Sequence, residues 1–223
     1  MNKQPVIKIF DVLYSKYGPQ GWWPGDSRFE IIVGAILTQN TNWRNVAHAI
    51  TNLKEADVLN LNALLSANPE RIKALIAPSG FFNMKYKRLR NVLEYLAKYG
   101  MDSERFYKLP VADLRGELLE INGVGPETAD SILLYAFDRP VFVVDAYTRR
   151  LFSRIGHDWM AKGKYEDIQK FFMEELPTDP VLYNEFHALI VAHCKTVCKK
   201  IPLCSDCALS SLCMTAINAD SQG

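Results

Sequence analysis

The fold of this chain is decided by the stretch Leu118-Leu119-Glu120-Ile121-Asn122-Gly123-Val124-Gly125-Pro126-Glu127-Thr128-Ala129-Asp130. Its pattern predicts a helix, a glycine hairpin and a second helix. Gly123 and Gly125 permit positive φ and close backbone approach, and Pro126 suits the first position of the second helix. Bare N–H groups at such a turn and helix start form an anion site. We therefore expect the hairpin to bind phosphate.

A second stretch, Val143-Val144-Asp145-Ala146-Tyr147-Thr148-Arg149-Arg150, follows the hairpin. It places one carboxylate, Asp145, after an apolar run and at the start of another helical pattern. A phosphate site with a carboxylate shortly downstream suggests chemistry on a nucleic-acid backbone or base. Asp145 is therefore the candidate catalytic residue.

The composition is that of an ordinary globular protein, with 223 residues, 48% of them hydrophobic and 23% charged. The net charge is +1, so DNA binding would depend on local patches rather than on bulk charge. Neither a secretory signal nor an apolar run long enough to span a bilayer is visible. We therefore expect a cytoplasmic protein without membrane association.

Helical periodicity runs along most of the chain, and strand signals are scarce. The run from Val141 to Val144 is apolar and β-branched, but it is short and follows Pro140. The pattern therefore predicts an all-α protein. His187 and His193 lie six residues apart in one predicted helix, and we interpret both as packing residues.

Three tryptophans and a cluster of amides stand in predicted turns. Trp22 and Trp23 precede Pro24, and Gln39 and Trp43 bound a polar break between two helices. These residues fit two interpretations. They could pack and cap the helix junctions, or they could stack on a base and fill the space that an extruded base leaves.

Lys85 and Lys87 belong to a basic run that leads into a helix. Such a run is typical of a solvated helix face, and it also suits contact with DNA phosphates. The residues alone leave both interpretations open.

All five cysteines lie within the segment from Cys194 to Cys213. Disulfide scaffolds spread their cysteines, so this clustering favours a metal site. Gaps of five, two and five residues separate four of them, which are Cys198, Cys204, Cys207 and Cys213. Four thiolates on one short loop suit a cubane iron–sulfur cluster or a tetrahedral zinc ion. Cys194 is either a packed thiol or an alternative ligand.

The hairpin, the Val143-Val144-Asp145 motif and the cysteine loop together resemble the helix-hairpin-helix DNA glycosylases of the endonuclease III type. The three motifs occur in that family's order, and the resemblance extends from about Trp22 to Cys213. It implies a two-domain, all-α fold. Residues 22–137 would form a six-helix domain with the hairpin. Residues 1–21 and 138–223 would form a second helical domain with Asp145 and the cysteine loop.

The resemblance also implies a cofactor and a set of DNA contacts. The family's loop holds a [4Fe-4S] cluster, although its first cysteine gap is six residues and here it is five. Residues 37–41 resemble the glutamine-bearing turn that enters the DNA helix. The expected base-pocket or wedge residues are Trp22, Trp23, Gln39, Trp43 and Glu127. The expected DNA-binding residues are Gly123, Val124, Gly125, Thr128, Lys85 and Lys87.

Glu127 is the most informative departure from the family pattern. Bifunctional members carry a lysine two positions after the second glycine, and that lysine forms a Schiff base with the sugar. Here the position holds Glu127, and a carboxylate cannot form an imine. The resemblance therefore implies monofunctional base removal through Asp145, with abasic-site lyase activity absent or weak. The expected partner is double-stranded DNA containing a damaged base, bound by a monomer.

The tryptophans, the amide turn and Glu127 most resemble the 3-methyladenine DNA glycosylase branch, so an alkylated base is the expected substrate. One alternative is an endonuclease III-like glycosylase and lyase acting on oxidised pyrimidines, with Lys85 or Lys87 as its amine. Another is a mismatch glycosylase. An alternative of a different class is a non-catalytic, metal-stabilised DNA-binding module. A binding module would have no need for a carboxylate at Asp145.

Overall fold

The computed structural model describes residues 5 to 220 of the chain. These residues form helices joined by turns and irregular segments, and no β-strand occurs among them. The predicted all-α fold is thereby confirmed. Within the same residues, no helix has the length and apolar character needed to cross a membrane.

The chain divides into two compact units. One, which we call the terminal unit, combines the chain up to Trp23 with the chain from Pro140 onward. The other, which we call the hairpin unit, runs from Pro24 to Arg139. These bounds lie two residues from the predicted ones at each junction, so Trp22 and Trp23 fall in the terminal unit rather than with the hairpin.

The hairpin unit contains eight α-helices, of which six correspond to the predicted ones. The two additions, α4 and α7, have six and four residues and are too short for a clear periodic pattern. The helices are α2 (Arg28–Leu37), α3 (Trp43–Glu55), α4 (Leu61–Ser66), α5 (Pro69–Ile76), α6 (Phe82–Tyr99), α7 (Arg105–Lys108), α8 (Val111–Glu120) and α9 (Pro126–Ser131). After α9 the chain continues as a buried π-helical turn, Ile132–Ala136.

Side-chain caps explain where several of these helices begin. The side chains of Ser27, Asn42 and Asn60 each accept a hydrogen bond from the backbone N–H three residues further on. Such caps satisfy donors that the first helical turn leaves unpaired. The polar residues between the apolar runs therefore fix the helix starts.

The terminal unit packs its helices around an aromatic core. Phe142 stacks on Phe172 with ring centroids 4.2 Å apart, and Phe186 meets both at an angle. This core supports the start of α10 and the segment before it. The helices are α1 (Val6–Tyr17), α10 (Ala146–Ile155), α11 (Tyr165–Glu175), α12 (Pro180–Thr196) and α13 (Met214–Asp220).

Candidate active site and DNA-contact segments

Asp145 caps the helix that follows it. The buried run Val141–Val144 ends here, and one Asp145 oxygen accepts hydrogen bonds from Thr148, from the backbone N–H at 2.7 Å and from the hydroxyl at 3.0 Å. Asp145 is the N-cap of α10, a position where the helix dipole favours negative charge. The local sequence therefore fixes this carboxylate in place.

A histidine from α12 makes the second contact. His187 Nε2 lies 3.5 Å from Asp145 Oδ2, and the side chains are only 6% and 13% exposed. Burial raises the pKa of the Asp145 carboxyl, but the charge of His187 and the hydrogen bonds from His187 and Thr148 outweigh it and hold the pKa below its ordinary value. Asp145 is therefore ionised at neutral pH. Its contact with His187 adds a role beyond the packing that the sequence indicates for this histidine.

Helix α11 holds the segment that leads to Asp145. The Tyr165 hydroxyl accepts a hydrogen bond from the backbone N–H of Val144 at 3.3 Å. The Gln169 side chain donates to the Phe142 carbonyl at 2.7 Å. Because buried backbone groups are costly to leave unpaired, these bonds restrict the segment and, with it, the carboxylate.

Trp22 and Trp23 lie half-buried in the same unit as Asp145. Their ring centroids are 5.4 Å apart and the ring planes meet at 68°. This edge-to-face contact leaves no slot between parallel rings in which a base could stack. Lys195 Nζ lies 5.9 Å from the Trp22 ring centroid, within reach of a cation–π contact. Trp43 belongs to the hairpin unit, so the three tryptophans do not form one cage within either unit.

The two hairpin glycines differ in their backbone and surroundings. Gly123 has φ +95°, whereas Gly125 is extended at φ −97° and ψ 177°, so only Gly123 uses the positive φ that glycine permits. A Cβ at Gly123 would lie 2.2 Å from Arg88 Cγ, but one at Gly125 would meet no atom within 4 Å. Gly125 is exposed, and α9 begins after it without a side-chain cap. The hairpin therefore presents an accessible backbone at Gly125.

Val124 and Thr128 support the hairpin from inside the protein. Their exposed fractions are 6% and 8%. The backbone N–H of Val124 donates to the Ile121 carbonyl at 3.0 Å, and the Thr128 hydroxyl accepts a hydrogen bond from Gln39. Their side chains are thus buried in the unit, and the prediction that the two residues bind DNA through the hairpin stays a prediction.

Gln39 is bonded at both ends of its amide. Its Nε2 donates to the Gly123 carbonyl and to the Thr128 hydroxyl, each at 3.0 Å. Arg88 donates to its Oε1 at 2.5 Å. In the DNA-free protein the Gln39 amide is therefore engaged by the hairpin, α9 and α6, and its predicted role as a wedge stays a prediction. The next residue, Asn40, is exposed and has a left-handed φ of +54°, so it stands at the tip of the turn.

Lys85 is buried, with 1% of its surface exposed. Its ammonium donates to the carbonyls of Leu37 at 2.7 Å and Ser79 at 2.6 Å. Burial, and secondarily the charge of Arg88, lowers the pKa of Lys85 to about 8. The prediction that Lys85 contacts DNA phosphate is wrong because its ammonium is enclosed by the protein. Lys87, two residues further along α6, is exposed.

An exposed aromatic near the start of α6 escaped the sequence analysis. Phe81 is 64% exposed and has a left-handed φ of +47°, an unusual backbone for a bulky residue. Phe82 and Met84 are also exposed, at 38% and 43%. The available signal was two large aromatics directly after Gly80, at a helix break.

Glu127 occupies the first turn of α9 and is exposed. A carboxylate at a helix start interacts favourably with the helix dipole, so the residue also has a purely structural use. Its carbonyl accepts a hydrogen bond from the Ser131 hydroxyl at 2.7 Å. Glu127 can therefore stabilise the start of α9, and this use is compatible with its standing at the position where bifunctional relatives carry a lysine.

The four loop cysteines line one pocket. The pocket has about 330 Å³ of space, part of it open to solvent. Arg154 Nη1 donates to Cys198 Sγ at 3.2 Å, and Cys213 Sγ donates to the Arg154 carbonyl at 3.2 Å. Helix α10, which begins at the Asp145 cap, therefore also anchors the loop. The lining cysteines are Cys198, Cys204, Cys207 and Cys213.

Across residues 5 to 220, no group of three or more His, Cys, Asp or Glu side chains is arranged to hold a metal ion. A hydrogen bond with Cys194 is the largest influence on the pKa of Cys198, and together with Arg154 it lowers that pKa to about 6 against the effect of burial. Cys194 lies outside the pocket lining, with Sγ 3.6 Å from the Tyr147 carbonyl. Four thiols around one pocket fit a thiolate-bound cofactor as a donor set.

Residues 33–178 match the HhH-GPD superfamily of base excision DNA repair proteins. The matched segment is well over half of the chain, so the chain belongs to this superfamily. Its activity is that of a DNA glycosylase in base excision repair.

Individual relatives show the same class. A provisionally named DNA repair glycosylase of Methanocaldococcus jannaschii is 49% identical over 212 residues, which cover 94% of this chain and 96% of the relative. An H. pylori 3-methyladenine DNA glycosylase, solved with bound 1,N6-ethenoadenine, has 31% sequence identity to this chain and a TM-score of 0.70. The match covers 85% of this chain and 94% of the H. pylori chain. A non-covalent endonuclease III–DNA complex shares the fold, with a TM-score of 0.81, 20% identity and 99% coverage of both chains.

Proposed function

We propose that this protein is a monofunctional DNA glycosylase that hydrolyses the N-glycosidic bond of an alkylated base, with Asp145 as its catalytic residue. The observation that carries the proposal is the environment of Asp145. A largely buried carboxylate is held ionised by Thr148 and His187. Fixed negative charge in a desolvated site is suited to a transition state that develops positive charge.

The reaction follows from this arrangement. As the bond between the base nitrogen and C1′ breaks, its electron pair leaves with the base and the deoxyribose becomes oxocarbenium-like. The Asp145 carboxylate stabilises this positive charge. It also orients a water molecule and accepts its proton as the oxygen bonds to C1′. The products are the free base and an abasic site.

Two observations support hydrolysis without a lyase step. Glu127 replaces the lysine of bifunctional relatives. Lys85, one of the two alternative amines, is enclosed and bonded to two carbonyls. Lys87 is exposed and remains the amine of the runner-up function, an endonuclease III-like glycosylase and lyase. Borohydride trapping on DNA with an abasic site separates the two, because a covalent adduct would require a Schiff-base lysine and would reject the monofunctional mechanism.

The preference for alkylated purines rests on charge. Purines alkylated at a ring nitrogen are cationic and leave readily, so they need little acid catalysis, and aromatic rings bind cations well. Trp22 and Trp23 lie in the same unit as Asp145. The H. pylori relative, a 3-methyladenine DNA glycosylase, was crystallised with 1,N6-ethenoadenine. The substrate test below therefore includes both 3-methyladenine and 1,N6-ethenoadenine.

Three features of the hairpin unit support binding to double-stranded DNA. The exposed backbone at Gly125 is accessible to a phosphate. Asn40 and Phe81 are exposed residues with left-handed backbones, and side chains of these two kinds fill and wedge a duplex from which a base has been extruded. Lys87 adds an exposed cation. We propose that a monomer uses these groups to open the duplex at the damaged base.

We assign a [4Fe-4S] cluster to the cysteine loop. Four thiols line one pocket, and Cys198 has a lowered pKa of about 6, which favours the thiolate form that binds metal. When bound, the cluster would cross-link the loop through four thiolates. Elemental analysis distinguishes the cofactors, because a cluster gives about four iron atoms per chain and the alternative gives one zinc.

The decisive experiment compares Asp145→Asn with Asp179→Asn. Both aspartates cap helices of the terminal unit, since Asp179 accepts the N–H of Val181 at 2.8 Å, and asparagine caps as well as aspartate. Asp145→Asn should abolish release of 3-methyladenine while DNA affinity is retained, and Asp179→Asn should act as the wild type. Unchanged base release in Asp145→Asn would reject the mechanism. Parallel assays with 7-methylguanine, 1,N6-ethenoadenine, thymine glycol, uracil and mismatched DNA identify the substrate.

A further inference from the structure

One polar face of α6 connects the two segments of the hairpin unit that carry the proposed DNA contacts. Lys85, Arg88 and Asn91 follow one another at intervals of three residues, so they lie along one side of the helix. Each of them donates a hydrogen bond at or next to one of two segments. The first is the turn 38–41, which we call the wedge turn, and the second is the hairpin 122–125.

Lys85 fixes the base of the wedge turn. Its ammonium is buried and donates to the carbonyl of Leu37, the last residue of α2. A cation at the C-terminal end of a helix compensates carbonyls that have no partner within the helix. The wedge turn starts at the next residue, so the Lys85 bond restrains the backbone at the start of this turn.

Arg88 and Asn91 reach the hairpin side. Asn91 Nδ2 donates to the carbonyl of Asn122 at 2.9 Å. The Arg88 stem packs against Gly123, where a Cβ would approach Arg88 Cγ to 2.2 Å. The missing side chain at Gly123 is thus needed for Arg88 to pass over the hairpin. The Arg88 guanidinium then donates to Gln39 at 2.5 Å.

Gln39 completes the connection between the two segments. Its Oε1 accepts from Arg88, and its Nε2 donates to Gly123 and Thr128. Arg88 can only donate and the Gly123 carbonyl can only accept, so the bonds define which way the amide points. A side chain in the wedge turn is therefore joined to the hairpin at Gly123, to α9 at Thr128 and to α6 at Arg88.

We infer that Arg88 and Gln39 are positioning residues that set the wedge turn relative to the hairpin, so that this turn enters the duplex at a fixed distance from the phosphate held by the hairpin. This inference rests on the proposed function, because it assigns these residues to the base-opening step of a glycosylase. Neither residue touches the reacting atoms in this role. Their loss would slow opening of the damaged base pair and leave the chemistry at Asp145 intact.

The test measures single-turnover release of 3-methyladenine from two duplexes. One pairs the damaged base normally, and the other places it opposite a nucleotide without a base, so that no base pair has to be opened. Arg88→Ala should lower the rate on the paired duplex about tenfold, the effect of one lost charge-assisted hydrogen bond, and by less than about twofold on the other.

Gln39→Glu provides a second variant if Arg88→Ala folds poorly. It keeps an acceptor for Arg88 but loses the amide donor to Gly123 and Thr128. The same duplex-dependent defect is expected, and the double variant should be no slower than the worse single one because both changes break one connection. Arg90→Ala is the control. Arg90 lies on the same helix and bonds to Glu94 and the Leu65 carbonyl, so its loss should leave both rates unchanged.

Three outcomes would overturn the inference. Equal slowing on both duplexes would indicate a general structural role for Arg88. Weaker binding to both duplexes, with a salt dependence reduced by about one counterion, would indicate a direct phosphate contact. Unchanged rates in Arg88→Ala and Gln39→Glu would show that the connection is not used. If the wild type releases no base from either duplex, the proposed function fails instead.

Discussion

Gly123→Ala and Gly125→Ala make the same chemical change at two positions of one turn, and the structure predicts different consequences. At position 123 the new Cβ would lie 2.2 Å from Arg88 Cγ and 2.9 Å from Arg88 Cδ. The backbone would also keep a φ of +95°, which alanine adopts only with strain. Overpacking and backbone strain each cost about 1 to 3 kcal/mol, so we expect Gly123→Ala to lose about 4 kcal/mol of unfolding free energy.

Position 125 carries neither penalty. Its φ of −97° is ordinary for alanine, and a Cβ there meets no atom of the protein within 4 Å. Alanine is a poorer N-cap than glycine, but it also reduces the entropy of the unfolded chain, and the two effects are of similar size. We therefore expect Gly125→Ala to stay within about 1 kcal/mol of the wild type. Its added methyl group would instead obstruct a phosphate at the hairpin and weaken DNA binding about tenfold, as expected for the loss of one charge-assisted hydrogen bond.

Urea unfolding and fluorescence anisotropy with a duplex, both at one fixed salt concentration, separate the two effects. A Gly123→Ala protein as stable as the wild type would refute the packing of Arg88 over the hairpin. A Gly125→Ala protein that binds DNA as tightly as the wild type would refute the hairpin as the phosphate site. The stability of Gly125→Ala serves as the internal control, because a large loss there would refute an uncrowded, extended backbone at position 125.

Two further predictions concern buried charges. The Asp145 pKa lies below its ordinary value, so the stability that its ionised form contributes is present above the ordinary pKa and is lost as the pH falls toward the lowered one. His187→Gln should raise that pKa and move the acidic limb of the base-release profile to higher pH, and an unmoved limb would exclude His187 as the cause. Arg115→Ala removes two hydrogen bonds from the fully buried Asp130 carboxylate and should cost about 3 to 5 kcal/mol in urea unfolding. Asp130→Asn in the same chain should recover part of that loss.

The fold and the hairpin could be predicted because their signals are local. Helical periodicity is a property of one segment, and the glycines and Pro126 mark their turn without reference to the rest of the chain. The cap at Asn42 is equally local, because its side chain accepts the backbone N–H of Asn45 three residues further on. Short elements such as α4 and α7 give too few residues for a periodic signal, so they were missed.

Lys85 and Lys87 show what a local sequence pattern cannot predict. Lys85 and Lys87 stand two residues apart in one basic run, and sequence alone treats them alike. In the helix they point to different sides, and only packing decides that Lys85 meets the carbonyls of Leu37 and Ser79. Leu37 comes from a distant part of the chain, whereas Ser79 lies just before α6.

The same reason applies to Gln39 and to His187. The partners of Gln39 are Arg88 and the hairpin, and its neighbour Asn40 is left at the exposed tip. His187 meets Asp145 only because α12 packs beside the start of α10. No spacing in the sequence relates these residues. The sequence therefore predicts a carboxylate at the start of α10, as the structure has it, but it does not predict the distant side chain of His187 that contacts it.

Two carboxylates stand at helix starts, and they differ in how far they are buried and therefore in what their charge can do. Glu127 stands in the first turn of α9 and is exposed, so water screens its charge and its main effect is on the helix dipole. Asp145 caps α10, is 13% exposed and lies beside His187. Since electrostatic interactions strengthen as water is excluded, Asp145 is the carboxylate suited to stabilising a cationic sugar. The proposed hydrolysis through Asp145 depends on this buried carboxylate and does not depend on an amine at position 127.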